Sequence, residues 1–218
     1  MGKKGKLQKF AEVTAFSNCY ERATELKGKW ATHVFKNDNP ITLELACGKG
    51  EYTLGLAKRF PDRNFIGVDI KGNRIWKGAK YALENNMHNV AFHRIMIGNI
   101  EDYFALGEID EFWITFPDPQ HAKKRKRLTN PMFLERYRNI SNPHPIMNLK
   151  SDSTRFYEYT KEVIAEQSLE IIENNDDIYQ WNTIPEYLAN IQTFYEKMWL
   201  EDGKNALKKS SYRCYFFI

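Results

Sequence analysis

Residues 41–60, ITLELACGKGEYTLGLAKRF, decide the fold of this chain. ITLEL is a short aliphatic run of strand type, ACGKG a small-residue turn, and the segment from Glu51 carries Leu54, Ala57 and Lys58 at helical spacing. Pro61-Asp62 stops that helix, and NFIGVDI at 64–70 reads as a second, buried strand. Further out, residues 73–85 predict a helix whose apolar side holds Ile75, Trp76, Ala79 and Ala82, and residues 90–95 a third strand. A short helical segment over 100–106 leads to DEFWITF at 110–116, a fourth strand that Pro117-Asp118-Pro119 ends abruptly. A helix near 130–140, a strand over 146–150, a long helix from about 154 to 173 and an aromatic strand over 212–217 complete the series. Strands and helices alternating at this spacing predict an α/β fold, a doubly wound and mostly parallel sheet with helices on both faces. Residues 1–35 are set aside as a basic N-terminal extension, leaving 36–218 as the domain.

Composition narrows the function classes. With 218 residues, 42% hydrophobic and 28% charged, the chain has the size and balance of one soluble domain. Asp, Glu, Lys or Arg interrupts every apolar stretch before the roughly 18–20 residues a bilayer span needs, so no membrane segment is expected. The lysine-rich start leads into no apolar run and no small-residue cleavage site, which favours a cytosolic protein. Cys19, Cys47 and Cys214 are odd in number and lack Cys-x-x-Cys spacing, so they read as reduced thiols. His88 and His93 are not spaced as ligands on one element, and no metal is expected.

The net charge of +4 is small but unevenly placed. Residues 118–138 carry seven Lys or Arg against two Asp or Glu. Lys123, Lys124, Arg125, Lys126 and Arg127 are consecutive, and like charges gathered without a structural reason call for a polyanion. Nucleic acid fits. Lys3, Lys4, Lys6 and Lys9 form a second cluster, read as a basic arm or as plain solvated charge. The acidic stripe Glu158, Glu162, Glu166 and Glu170 lies on one helical face and is assigned to solvent.

In an open parallel sheet, ligands sit beyond the carboxyl ends of the strands. Gly48 and Gly50 follow the first strand and open a helix, allowing backbone amides to approach a nucleoside. Asp69 ends the second strand about 20 residues later, where a carboxylate accepts ribose hydroxyls. Asn99, after the third strand, is placed to meet an adenine edge or to cap the next helix. The third glycine of the dinucleotide pattern is missing, as is Gly-Lys-Ser/Thr, which disfavours NAD and a P-loop. Glu44 inside the first strand repels a phosphate but can order the loop or balance a cationic ligand through water. S-adenosylmethionine, with a sulfonium, an ammonium and no phosphate, suits that charge pattern.

The stretch from Phe116 to Thr129, FPDPQHAKKRKRLT, resembles the motif of the bacterial tRNA (guanine-N7)-methyltransferases. The resemblance runs from about residue 42 to 196 through an ordered set of motifs: residues 44–50, GVDIK at 67–71, Asn99, the Phe-Pro-Asp-Pro stretch with its basic tail, NLKSD at 148–152 and TFYE at 193–196. It implies a seven-stranded Rossmann-like methyltransferase using S-adenosylmethionine, with guanine 46 of the tRNA variable loop as target. It implies cofactor contacts at Glu44, Asp69 and Asn99, beside the Gly48 and Gly50 read from the turn itself, with Asp118 at the join between cofactor and guanine. Asp152, Thr193, Glu196 and a lysine of the tail are implied substrate contacts, and Lys123 to Arg127 phosphate contacts; the tail is short by about two residues, so that lysine falls at Lys123 or its register passes to Ala122. Thr193 and Glu196 share one helical turn, facing the pocket or forming an exposed turn. Ala46 stands where the family has glycine and Gln120 where many members have tryptophan. The expected partner is tRNA, with the protein a monomer or homodimer; the rival reading is an RNA-binding protein that keeps the fold but not catalysis.

Overall fold

Strands that are apolar on both faces must be covered on both sides, and one sheet between two helical layers does this. The computed structural model describes residues 3–175, 185–193, 196–197 and 212–218. In chain order the elements are α1 (Lys3–Val13), β1 (Cys19–Glu21), β2 (Ile41–Leu45), α2 (Glu51–Arg59), β3 (Asn64–Asp69), α3 (Gly72–Glu84), β4 (Val90–Arg94), β5 (Ile109–Thr115), α4 (Pro131–Arg138), β6 (Ser141–Ser151), α5 (Thr154–Glu166), β7 (Ile171–Asn175), α6 (Glu186–Asn190) and β8 (Tyr212–Phe217). The sheet order is β1-β4-β3-β2-β5-β6-β8-β7. All neighbours from β1 across to β6 are parallel, whereas β8 runs antiparallel to both β6 and β7. From β2 the chain winds outward through β3 and β4, then returns to lay β5 on the other side of β2. The reversal therefore lies between β2 and β5, and the cleft opens at their carboxyl ends.

Side chains alternate between two cores. Leu43, Leu45, Val68 and Ile114 pack with Leu134 of α4 and Phe156 of α5. Phe65, Phe92 and Trp113 face the opposite way, onto Tyr52 and Leu56 of α2 and Ile75 and Ala79 of α3. Trp30 is fully buried in the first core and donates its indole N–H to the Tyr103 carbonyl at 3.0 Å.

Four sequence expectations change. The sheet has eight strands, not seven, because Cys19–Glu21 adds to the β4 edge. The long helix over 154–173 ends at Glu166, and Ile171–Asn175 is a strand. Ser168 takes a left-handed φ of 52°, and the Leu169 N–H reaches back to the Ile164 carbonyl at 3.0 Å, a Schellman-type stop. The strand over 146–150 is longer, Ser141–Ser151, and its extra residues bulge from β6 between the pairs Ile109–Ser141 and Glu111–Ile146. The short helix is a 3₁₀ segment at Ile97–Asp102.

His93 on β4 is fully buried and accepts the Ala23 backbone N–H at Nε2, 3.2 Å away. The rings of Trp30 and Tyr103 lie at 5.0 and 4.9 Å. Burial holds the imidazole down at about 3, so the folded state keeps it neutral where the unfolded chain protonates near 6.5. This contribution to stability is complete above pH 6.5 and is lost as pH falls towards 3, at up to about 1.4 kcal/mol per pH unit. Chemical denaturation between pH 7 and 4.5 should therefore show a steeper acid loss for the wild type than for His93→Gln, and equal slopes would remove His93 as the cause.

Candidate active site at the carboxyl ends of the central strands

Between β2 and α2 the backbone curls through left-handed conformations at Ala46 (φ 59°), Gly48 (φ 59°) and Gly50 (φ 74°). An L-residue in that region costs about 1–2 kcal/mol, so the alanine that departs from the family glycine occupies a position glycine adopts without strain. The loop is pinned by the Cys47 N–H on the Val68 carbonyl (3.0 Å) and the Gly50 N–H on the Cys47 carbonyl (2.8 Å). A Cβ at Gly48 would meet nothing within 4 Å, so the backbone is bare towards open space. At Gly50 it would strike the Phe92 ring at 2.6 Å, which places that glycine against the core and not the ligand side. A pocket opens beside the loop, lined among others by Gly48, Lys49, Arg74, Thr115, Phe116 and Thr193.

Two carboxylates shape this loop. Glu44 is buried behind it and does not line the pocket. Its Oε2 accepts the Thr53 N–H (2.7 Å) and the Thr53 hydroxyl (2.5 Å), and its Oε1 accepts the Thr115 hydroxyl (2.8 Å). Burial raises the carboxyl to about 7 even though these donors favour the ionised form. Of the roles open to Glu44 in the sequence, ordering the loop is the one its contacts serve. Asp69, at the end of β3, accepts the Gly48 N–H at Oδ2 (3.0 Å) and the Lys71 N–H at Oδ1 (2.8 Å). Each oxygen keeps lone-pair capacity for a ribose hydroxyl, so the bare Gly48 edge and the adjoining carboxylate suit an adenosyl group. Asn99 is exposed and lies outside the pocket lining; with φ −114° and ψ 24° it is the non-helical kink that divides the 3₁₀ segment just before Ile100.

After β5 the backbone turns sharply, with Phe116 (φ 45°) and Gln120 (φ 47°) both left-handed around Pro117-Asp118-Pro119. Strain of this kind, outside glycine, gathers at functional sites. Asp118 is exposed, and its Oδ1 accepts the Gln120 N–H at 3.1 Å. Lys123, Lys124, Arg125 and Lys126 are exposed, the last three in a 3₁₀ turn. Arg127 departs from the run: it is 1% exposed, its Nε donates to the Pro119 carbonyl at 3.2 Å, and its guanidinium stacks 4.5 Å from the Tyr159 ring centroid. The linear charge pattern gave no sign of this inward turn.

The Thr-x-x-Glu segment is a reciprocal capping box. The Thr193 N–H donates to Glu196 Oε2 and the Glu196 N–H to Thr193 Oγ1, each at 3.2 Å. Both residues are buried, and Thr193 faces the pocket. Sequence reasoning missed Lys150, whose Nζ lies 2.5 Å from Glu196 Oε1 with both side chains 1% exposed. A lysine among the buried residues at the end of β6 was the available signal. Asp152 is half-buried just beyond that strand end. The structure thus places Gly48 and Thr193 in the lining of one cleft, with Asp69 joined to it through the Gly48 N–H, Glu44 and Glu196 behind its walls, and Asp118, Asn99 and residues 123–126 outside its lining.

A larger cavity of about 360 Å³ lies at the opposite end of the sheet, among Gly28, Pro40, Asp110 and Asn142. Two of its carboxylates, Asp110 and Glu108, already serve the fold. Asp110 accepts the Ile41 N–H (2.7 Å) and the Asn142 amide (2.6 Å), and Glu108 accepts the N–H groups of Gly28, Trp30 and Ala105, each at 2.9 Å. Among the described residues no cluster of His, Cys, Asp and Glu is arranged to hold a metal, and no helix is long and apolar enough to cross a membrane.

A family model described as "Putative methyltransferase" matches residues 38–209. The chain is 50% identical over 214 residues to a tRNA (guanine-N(7)-)-methyltransferase of Christiangramia forsetii, covering 94% of this chain and 96% of that one. It is 45% identical over 210 residues to the protein of the same name from Bacteroides thetaiotaomicron, covering 93% and 83%. Among solved structures, an antibiotic-related methyltransferase superposes with a TM-score of 0.65 at 16% identity over 86% of this chain and 92% of that one, and the 16S rRNA methyltransferase KamB with 0.62 at 13% over 83% and 88%. These two likenesses concern the fold. The identity to the curated relatives, nearly end to end and joined to a methyltransferase sheet with its cleft at the strand reversal, means that the chain belongs to the tRNA (guanine-N(7)-)-methyltransferase family.

Proposed function

We propose that this protein methylates N7 of guanine 46 in the variable loop of tRNA, with S-adenosylmethionine as methyl donor. The observation that carries the reading is the 50% identity, over almost the whole chain, to a relative named for that guanine-N7 chemistry on tRNA. The cleft supports it through the bare Gly48 backbone edge beside Asp69.

Bound there, S-adenosylmethionine supplies an electrophilic methyl group on a sulfonium centre. Guanine N7 carries an in-plane lone pair and no hydrogen, so no side chain has to remove a proton first. Positioning is the main task, and pre-organisation can supply roughly 7–11 kcal/mol of a barrier. Gly48 and Asp69 would hold the adenosine. Asp118 would accept the N1 and N2 hydrogens of guanine, selecting it over adenine, and would face the positive charge that grows on the purine. Its exposed place on the Pro-Asp-Pro turn leaves it accessible to an incoming base. Thr193 faces the same cleft, and Glu196 and Asp152 would support the substrate side from behind it. Lys123, Lys124, Arg125 and Lys126 would meet phosphates, giving affinity without sequence readout. Arg127, turned inward, would hold the Pro119 turn from which Asp118 projects.

Nucleoside mass spectrometry of unmodified tRNA incubated with protein and labelled cofactor should yield 7-methylguanosine at position 46. RNA binding with no saturable uptake of S-adenosylmethionine would instead establish the non-catalytic rival. Asp118→Ala should lower methyl transfer by about 10²–10³-fold with cofactor affinity retained; near-normal turnover removes it from the mechanism. Asp69→Ala should weaken cofactor binding at least tenfold in calorimetry while tRNA affinity holds, and unchanged cofactor affinity would reassign the ribose contact.

A further inference from the structure

β3 and β5 flank β2 on opposite sides, so the elements leaving their carboxyl ends lie on either side of the cleft. The 123–126 run follows β5. Helix α3 follows β3, and it too is basic. Arg74 stands at the pocket rim beside Lys49, while Lys77 and Lys80 are exposed on the outer face of α3. These three positions climb the helix in steps of about 4.5 Å. Beyond them Trp76 is bracketed by two cations, Lys80 at 5.1 Å from its ring centroid and Lys9 of α1 at 4.1 Å.

This band is built and held in place. A Cβ at Gly78 would lie 2.5 Å from the Lys49 carbonyl oxygen, so only glycine lets α3 lie this close to the loop. The indole N–H of Trp76 donates to Glu12 Oε2 at 2.7 Å, and Phe10 stacks 4.3 Å from the Arg94 guanidinium, so α1 is fastened across α3. Burial, joined by the charges of Lys77 and Arg74 and opposed by Glu51, holds the Lys49 ammonium below its usual range. Neither Arg74 nor Lys77 forms an ion pair among the described residues; on the outer face Lys80 meets Glu84 at 3.6 Å. Like charges three residues apart cost a helix a few tenths of a kcal/mol per pair, and a face serving solubility alone would interleave both signs.

We propose that Arg74, Lys77 and Lys80 of α3, extended by Lys9 of α1, form a second phosphate-binding surface that grips the RNA backbone on the side of the cleft away from residues 123–126. The inference rests on the proposed tRNA substrate. Two grips astride one pocket would fix the RNA in orientation as well as in place, which a single basic patch cannot do.

The test is binding of an unmodified tRNA transcript across a series of KCl concentrations, for the wild type and Lys77→Gln/Lys80→Gln. The variant should bind about tenfold or more weakly near 0.1 M salt, and its slope of log K against log salt should be shallower by about 1–2. Methyl transfer at saturating tRNA should stay within about twofold, so that KM moves and kcat does not. Lys77→Arg/Lys80→Arg should restore both affinity and slope. Lys29→Gln/Lys36→Gln, two exposed lysines that precede the amino end of β2, controls for net charge. Affinity and slope unchanged in the α3 variant, or reduced equally in the control, would overturn the proposal. A wild type that bound no tRNA would overturn the substrate reading, and this inference with it.

Discussion

Thr53 is the third residue of α2, and its N–H is one of the donors that a helix start leaves without an intrahelical acceptor. The usual remedy is a side chain at the cap position, but that position is Gly50 and carries none. Glu44 supplies the acceptor from the neighbouring strand, taking the Thr53 N–H and hydroxyl on one oxygen and the Thr115 hydroxyl on the other. One buried carboxylate thus joins β2, the start of α2 and the end of β5, the elements that diverge at the strand reversal. The division of labour has a chemical logic. Capping from behind leaves the front of the loop as bare backbone, and a side-chain cap at residue 50 would meet the Phe92 ring.

The opposite wall is held by a second buried contact. Lys150 at the end of β6 and Glu196 are fully desolvated, a costly arrangement unless each charge is well paired. Here the ammonium also reaches the Leu188 carbonyl at 3.3 Å, and the second carboxylate oxygen closes the capping box on Thr193. The pair therefore contributes a defined position for the Thr193 rim more than it contributes net stability. Removing one partner would leave the other charge stranded, at a cost of about 3–5 kcal/mol.

Much of the fold was legible because short apolar runs, Pro61-Asp62 and Pro117-Asp118-Pro119 punctuate it strongly. β1 escaped notice because three residues, Cys-Tyr-Glu, present no run; only the β4 edge makes them a strand. β7 was hidden by glutamates that keep helical spacing to Glu170, while the left-handed residue that ends α5 is Ser168, which carries no such signal by itself. In the site, Gly48 and Asp69 could be paired from spacing, since strand length and loop length fix their distance. Lys150 with Glu196, and Arg127 with Pro119 and Tyr159, could not, because tertiary packing decides which way a charged side chain turns. The capping box was present in the letters Thr-x-x-Glu, yet the same letters suit an exposed turn equally well.

The inward posture of Arg127 changes how the polybasic stretch should be pictured. Four neighbouring cations face water, Lys124 among them at 3.8 Å from Glu162, while the fifth is sealed between a carbonyl and an aromatic ring. Ionic strength screens the outer four and scarcely reaches the buried one. The stretch is therefore a tethered pad, firm at its root and adaptable at its surface. Salt can loosen its hold on a polyanion without letting go of the proline turn that presents Asp118.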